Sequence, residues 1–431
     1  MVQPLIFVVL VVASLLQFHV VDTLRSDFAV VGYLPEYTAG YPNWDKVDFE
    51  EQCAHLTHLI IFSIEIAPSG DLQALDRVPP KSALAKISTA SKDHGTKVQI
   101  CFGGYGRTQG YPQMAIVKKR RRRFITQLVA LCEEHGWHGV DYNWEYPQNE
   151  KEWQGLAKLI DETRSAFDAA GHKDWVISMA YYPDGRQERL IGKFKAVDYF
   201  HSMAYDARGR HSPFPLAEQT VSNAKLSFPL KKLTLGVPFY SRHIQTGNWR
   251  SYRSLVEAHG DEVASTDEIN GDYYNSIGMI QRKVGYAIRN GLGGIMIWES
   301  GLDVPTDNKL SLLRAIRQIV SPDTSSSIPP TNPLLENLYK PTPSNPTSPT
   351  MHSLGPDGLR VKPAVPVSLF NPSPSPTPSG PAIKLNPATN PTSVRDPPVK
   401  PTKTKEPPVK PAKAKDANHG TKGKNEPTDE L

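Results

Sequence analysis

The run Gly139-Val140-Asp141-Tyr142-Asn143-Trp144-Glu145-Tyr146-Pro147 gathers side chains that can hold or transfer a proton. Read as a strand, its period of two puts Asp141, Asn143 and Glu145 on one face and Tyr142 and Trp144 on the other. Burying two carboxyl groups so close together is costly unless they share a proton or do chemistry. Glu145, last on the strand, is placed to keep its proton and act as a general acid. A plain ladder of buried polar groups is the competing reading of the same residues.

Such a strand needs neighbours that aim it at a common point. Apolar runs recur at Phe28–Leu34, Thr57–Ile64, Val98–Phe102, Gly139–Trp144, Val176–Ala180, Tyr199–Ala204, Leu233–Phe239 and Gly294–Trp298. Most are short, dense in Val, Ile, Leu and Phe, and bounded by Gly, Pro or Asp, as parallel strands buried on both faces should be. Helical spacing fills the gaps at Lys81–His94, Ala115–Glu134, Trp153–Ala170, Leu216–Leu226, Tyr273–Arg289 and Lys309–Ile319. Eight strands alternating with helices over residues 25–320 predict an α/β fold, a (β/α)8 barrel, whose reactive groups collect at the C-terminal strand ends. No GxGxxG follows the first strand, which argues against a dinucleotide fold. No CxxC or HExxH occurs, and neither a metal site nor a cofactor is expected.

At this point the chain resembles the glycoside hydrolase family 18 chitinases across 28–320. The family's fourth-strand signature DGxDxDxE is matched by residues 139–145 at the glycine, the central Asp and the terminal Glu. Val98-Gln99-Ile100-Cys101-Phe102-Gly103-Gly104 resembles the third-strand SxGG element, with Cys101 in place of Ser. Met203-Ala204-Tyr205-Asp206 resembles the sixth-strand MxYD, Gly236–Tyr240 the seventh strand, and Gly293–Trp298 the eighth with its floor tryptophan. The resemblance implies a retaining, substrate-assisted mechanism, in which the sugar's own acetamido group is the nucleophile. Glu145 would protonate the glycosidic oxygen and later activate water, and Tyr205 would hydrogen-bond the acetamido oxygen. Asp206 would hold the sugar and Trp298 would stack beneath it. Asp141 and Asn143 complete the implied catalytic set. Tyr33, Phe62, Gly103, Gly104, Tyr105, Tyr146, Met203 and Tyr240 join Asp206 and Trp298 as implied substrate contacts.

Two positions depart from the family pattern. His138 stands where the family has its first Asp, and Asn143 stands where it has the third. Asn keeps the shape and one acceptor oxygen but carries no charge. Losing one preorganised electrostatic partner typically costs on the order of 10²–10³ in rate. A working but slow hydrolase is therefore expected, with a non-hydrolytic chitin binder as the rival. An endoglycosidase acting on glycoprotein N-glycans or peptidoglycan is a second rival. The link 241–292 reads as mostly helical or loop-like, too short for a groove-deepening module, which favours internal cleavage.

The 431 residues carry 49 basic and 44 acidic side chains, a net charge of +5, and 39 prolines. About 25 of the prolines fall after residue 321, among Ser, Thr, Asn and Lys. Residues 321–431 cannot bury enough apolar area to offset their ordering entropy and are expected to be a disordered tail. An imperfect repeat, Pro397–Glu406 then Pro407–Asp416, gives the tail a lysine-studded polyproline character suited to resting on an anionic surface or to no partner at all. At the other end, the apolar stretch Leu5–Leu16 is too short to span about 30 Å of hydrocarbon. Residues 1–24 read as a signal peptide, so a secreted, monomeric protein is expected, with no nucleic-acid or membrane partner after processing. The terminal Thr428-Asp429-Glu430-Leu431 only approximates an ER-retrieval signal. Cys53, Cys101 and Cys132 allow one bridge of unassigned pairing or three core thiols. The basic run Lys118–Arg123 reads as a solvated helix face rather than a nucleic-acid patch.

Overall fold

The computed structural model describes residues 27–38 and 44–321. The leader 1–24 and the tail from residue 322 onward lie outside the described residues.

Eight parallel strands close on themselves: β1 (Ala29–Pro35), β2 (His58–Ile66), β4 (Lys97–Gly103), β5 (Gly139–Asn143), β6 (Val176–Tyr181), β7 (Tyr199–Ser202), β8 (Leu233–Pro238) and β13 (Gly294–Trp298). Each pairs in parallel with its neighbours, and β1 pairs with both β13 and β2, so no edge remains. This is the expected (β/α)8 barrel. A two-residue strand, β3 (Leu72–Gln73), pairs antiparallel to β2 beside the barrel.

The period of two seen in the sequence sorts side chains into two cores. Along β1, Ala29, Val31 and Tyr33 belong to the barrel interior, whereas Val30 and Leu34 join the layer under the helices. On β5, Tyr142 faces the helices, where its hydroxyl bonds Thr163 Oγ1 at 2.6 Å. Trp144 stacks on Tyr111 in the same outer layer, at 4.9 Å between ring centroids. Tyr142 and Trp144 thus point away from the interior, as their spacing predicts. The strand can start where it does because Gly139 has φ +136°, and a Cβ there would sit 2.0 Å from the Val176 carbonyl oxygen.

The outer helices follow local rules. Helix α1 (Phe49–His55) is capped by Asp48, whose side chain accepts from Glu51 N at 2.9 Å. Two more, α2 (Lys81–His94) and the short α3 (Tyr111–Ala115), precede α4 (Lys118–His135). Within α4 the basic run is only partly the expected solvated face. Arg121 turns inward, forks onto Glu162 at 2.7 and 2.9 Å and donates to the Ala115 carbonyl at 2.8 Å. A guanidinium can be buried there because its donors are matched by a carboxylate and a carbonyl. Helix α5 (Glu150–Ala169) is capped by Asn149 and buries Trp153, Leu156, Leu159, Ile160, Thr163 and Phe167 at helical spacing.

The segment after β8 corrects the sequence reading. Besides the expected loops and helices, among them Tyr252–His259, it builds a four-stranded antiparallel sheet from β9 (Tyr240–His243), β10 (Trp249–Ser251), β11 (Glu268–Ile269) and β12 (Asp272–Tyr273), in the order β10-β9-β12-β11. Strands of two to four residues are too short for alternation to register as a pattern. The helix expected from Tyr273 begins at Ile277, after Ser276 caps it. Cys53, Cys101 and Cys132 are all buried free thiols.

Candidate active site

The C-terminal strand ends surround a solvent-open cleft of about 770 Å³. Tyr33, Phe62, Tyr105, Asn143, Glu145, Met203, Tyr205, Asp206, Tyr240 and Trp298, all expected from the sequence, line it. Asp141 lies beneath it with no solvent exposure. Gly103 and Gly104 act through the backbone: Gly104 has φ +97° and donates to the Asn143 carbonyl at 2.7 Å, and a Cβ there would strike the Phe62 ring at 2.3 Å. Tyr146 is half-buried and packs against the barrel-interior aromatics beside the cleft. The peptide bonds following Phe62, Glu145 and Trp298 are cis.

Asp141 is held from two sides. Tyr33 donates to its Oδ2 and Ser178 to its Oδ1, each at 2.8 Å. Burial pushes its carboxyl up from the ordinary range, while the bonds from Ser178, Tyr33 and Cys101 work against that push. Two residues on, Asn143 hydrogen-bonds the Glu145 carboxyl. Its Oδ1 is buried and has no partner among the described residues. The amide therefore gives its N–H to Glu145 and keeps an acceptor in reserve.

Glu145 sits just past the end of β5, with its carboxyl raised to about 7. Burial is the first cause and the charge of Asp206 the second, with the Tyr105 backbone N–H and Asn143 opposing them. An acid near 7 holds its proton in mildly acid solution and releases it readily, as a general acid requires. Asp206 goes the other way. Burial alone would raise it, but His211 and Arg242 outweigh that and leave it at about 2. Tyr240 donates to its Oδ1 at 2.7 Å, Arg242 forms an ion pair with it, and His211 Nδ1 lies 3.7 Å away. Asp206 reaches this arrangement in the left-handed region, at φ +61°. Tyr205 is raised well above its ordinary value, first by burial and then by Asp206 and Glu145, so it remains an O–H donor. The only acceptor its hydroxyl meets among the described residues is the weak Met296 sulfur at 3.9 Å. Trp298 stands edge-on to Phe62 and Tyr33, with centroids 4.8 and 5.5 Å away, and is fixed as a flat apolar wall.

Several lining residues escaped the sequence reading: Tyr37, Ala180, Arg242, Met296, Glu299 and Leu302. Arg242 arrives on β9, inside the segment read as loop. Glu299 follows the floor tryptophan directly, and that adjacency was the available signal. Only 3% exposed, it is held by Thr38 and raised to about 8, chiefly by burial.

A proton-holding acid set among aromatic walls at the C-terminal mouth of a (β/α)8 barrel defines the class: a barrel organised like a glycosidase. The sequence profile of Glycosyl hydrolases family 18 matches residues 30–303, and the chain belongs to that family. It is 25% identical over 265 residues to Chitinase 1 of Aphanocladium album, covering 48% of this chain and 62% of that one. The chain thus spans about three fifths of that relative's length. The GH18 chitinase ChiB from the chitin utilization locus of Flavobacterium johnsoniae superposes with a TM-score of 0.57 at 26% identity, covering 68% of this chain and 94% of that one. A class V chitinase from Nicotiana tobaccum, solved in complex with NAG4, shares the fold with a TM-score of 0.56 at 18% identity, over 68% and 99% of the two chains.

Proposed function

We propose that this protein hydrolyses β-1,4-linked N-acetylglucosamine polymers with retention of configuration, by substrate-assisted catalysis, and more slowly than relatives with an Asp at position 143. The observation that carries the proposal is Glu145: a carboxyl at about 7, in one cleft with Tyr205 and Trp298.

In this reading Glu145 gives its proton to the glycosidic oxygen as the bond to the anomeric carbon breaks. The acetamido carbonyl oxygen of the same sugar closes on that carbon and forms an oxazolinium ion. Tyr205, with no strong acceptor of its own, donates to the acetamido oxygen and orients it. The free Oδ1 of Asn143 accepts the acetamido N–H, which satisfies an acceptor otherwise orphaned in a buried place. Glu145, now ionised, takes a proton from water, and that water opens the ring from the same face. Asn143 can orient the group but cannot offset its positive charge, hence the slow rate.

Internal cleavage belongs to the proposal because β9 to β12, at most four residues long, make only a small module beside the cleft. Secretion belongs to it through the short apolar run of the leader.

Hydrolysis of a soluble chitin oligomer by the wild type, Glu145→Gln and Asn143→Asp proteins tests this. The wild type should release reducing ends with products of several lengths. Glu145→Gln should lose about 10²–10⁴ in kcat, and Asn143→Asp should gain. Binding without turnover by the wild type, together with activity gained only in Asn143→Asp, would instead make the natural protein a chitin binder.

A further inference from the structure

We infer that Arg107 is a positioning residue: its guanidinium ties the ends of β1 and β2 together and braces Tyr37 and Phe62 as a fixed wall for the bound sugar chain. The inference rests on the reading above only in taking an N-acetylglucosamine chain as the occupant of the cleft.

Arg107 lies just past the end of β4, half-buried, and its fork reaches two strands at once. Its Nη2 donates to Glu36 Oε1 at 2.7 Å, and its Nη1 reaches Oε2 at 3.3 Å. Nη1 also donates to Ser63 Oγ at 3.0 Å and to the Ser63 carbonyl at 3.3 Å. Glu36 directly follows β1, and Ser63 directly follows Phe62 on β2. The end of β4 is joined in as well. Ser63 Oγ donates to the Gly103 carbonyl at 2.7 Å, and the Arg107 backbone N–H donates to the Gly104 carbonyl at 2.9 Å. A planar guanidinium can make such a tie because its donors point in several fixed directions.

The same group stands against two rings. Its central carbon lies 5.3 Å from the Phe62 centroid and 5.9 Å from that of Tyr37, within cation–π range. Both rings line the cleft. Phe62 in turn meets Trp298 edge-on at 4.8 Å, so a displaced Phe62 would disturb the flat wall itself. Tyr37 sits between two held neighbours, Glu36 on Arg107 and Thr38 on Glu299.

Glu36 alone does not account for this placement. It is 2% exposed and calls for a cation, and Arg77, 3.8 Å away, is engaged by Glu65 at 2.7 Å. Neutralising Glu36, however, requires no contact with Ser63 or with either ring. The two roles can therefore be separated.

Arg107→Met and the double variant Glu36→Gln/Arg107→Met are compared with the wild type in melting temperature, and in kcat and KM on a soluble chitin oligomer. The Kd for the same oligomer is measured for each in a Glu145→Gln background. Arg107→Met strands a buried carboxylate, and its melting temperature should fall by about 5 °C. Its KM and Kd should rise about tenfold with kcat within about threefold, the mark of lost binding rather than lost chemistry. The double variant no longer holds the stranded charge. Its melting temperature should return to within about 2 °C of the wild type, while KM and Kd stay about tenfold high.

Wild-type KM and Kd in Arg107→Met overturn the inference. So does a double variant that recovers them along with its melting temperature, because Arg107 would then serve only to neutralise Glu36. If the wild type binds the oligomer without turnover, the hydrolytic reading falls, and a raised Kd in the double variant still supports this inference. A wild type that does not bind the oligomer overturns both.

Discussion

Glu299→Gln should make the protein less sensitive to alkaline conditions. Glu299 is almost wholly buried beside the cleft tryptophan, with Thr38 donating to it, and its carboxyl is raised from 4.5 to about 8, first by burial. The Thr38 bond and the charge of Arg253 work against that rise. A raised carboxyl makes the folded protein bind its proton more tightly than the unfolded chain. Its contribution to stability is therefore fully present below the unfolded value and is lost as pH rises toward the folded one. Each unit crossed is worth about 1.4 kcal/mol, so the interval from 4.5 to about 8 amounts to about 5 kcal/mol as an upper bound. Glutamine keeps the size and the acceptor for Thr38 and has no proton to lose. In equilibrium urea unfolding, wild type and variant should differ little near about pH 4.5, and the variant should gain about 3–5 kcal/mol on the wild type by about pH 8. Taking the difference between the two proteins cancels the other raised acids, Glu145 at about 7 and Asp303 at about 6. Curves that stay parallel across that range would show that Glu299 is ionised in the folded state, and the reasoning from burial would fail.

The alkaline limb of kcat/KM on a chitin oligomer should lie near pH 7, with a tenfold fall per unit above it, because only protonated Glu145 can donate. A limb near the ordinary glutamate value would contradict the assigned acid. Arg242→Gln removes the cation beside Asp206, so burial should carry that carboxyl upward. The rate should then fall by about tenfold and the acid limb move to higher pH, which a profile in acid buffers would read directly; an unshifted limb would mean that Tyr240 and His211 suffice.

The barrel was legible because its signals are strong and local. The dense apolar runs marked strands buried on both faces, and in the structure their alternation sorts Val31 and Tyr33 into one core and Val30 and Leu34 into the other. The same alternation placed Asp141 and Asn143 inside and Tyr142 outside. The small sheet was not legible. Its strands are fixed by pairing across turns rather than by a hydrophobic pattern of their own, and Arg242 went unseen with them. Arg121 escaped for a similar reason: its inward turn depends on Glu162, 41 residues away on the next helix.

Residue type also left open which acids would be charged. Four carboxyl groups meet in or under this cleft, and their partners sort them. Burial would raise Asp206, but His211 and Arg242 outweigh it and bring the carboxyl to about 2; Glu145 has only a backbone N–H and an amide against burial and the Asp206 charge, and rises to about 7. Glu299 has the Thr38 hydroxyl and rises to about 8. Asp141 has two hydroxyls and a thiol set against complete burial. The donor and the anionic groups of one reaction are thus separated by neighbours, of which Arg242 lies 36 residues from Asp206 and Ser178 lies 37 from Asp141. It follows that exchanging a neighbour, Arg242 or Ser178, should redistribute charge in the cleft while every carboxyl stays in place.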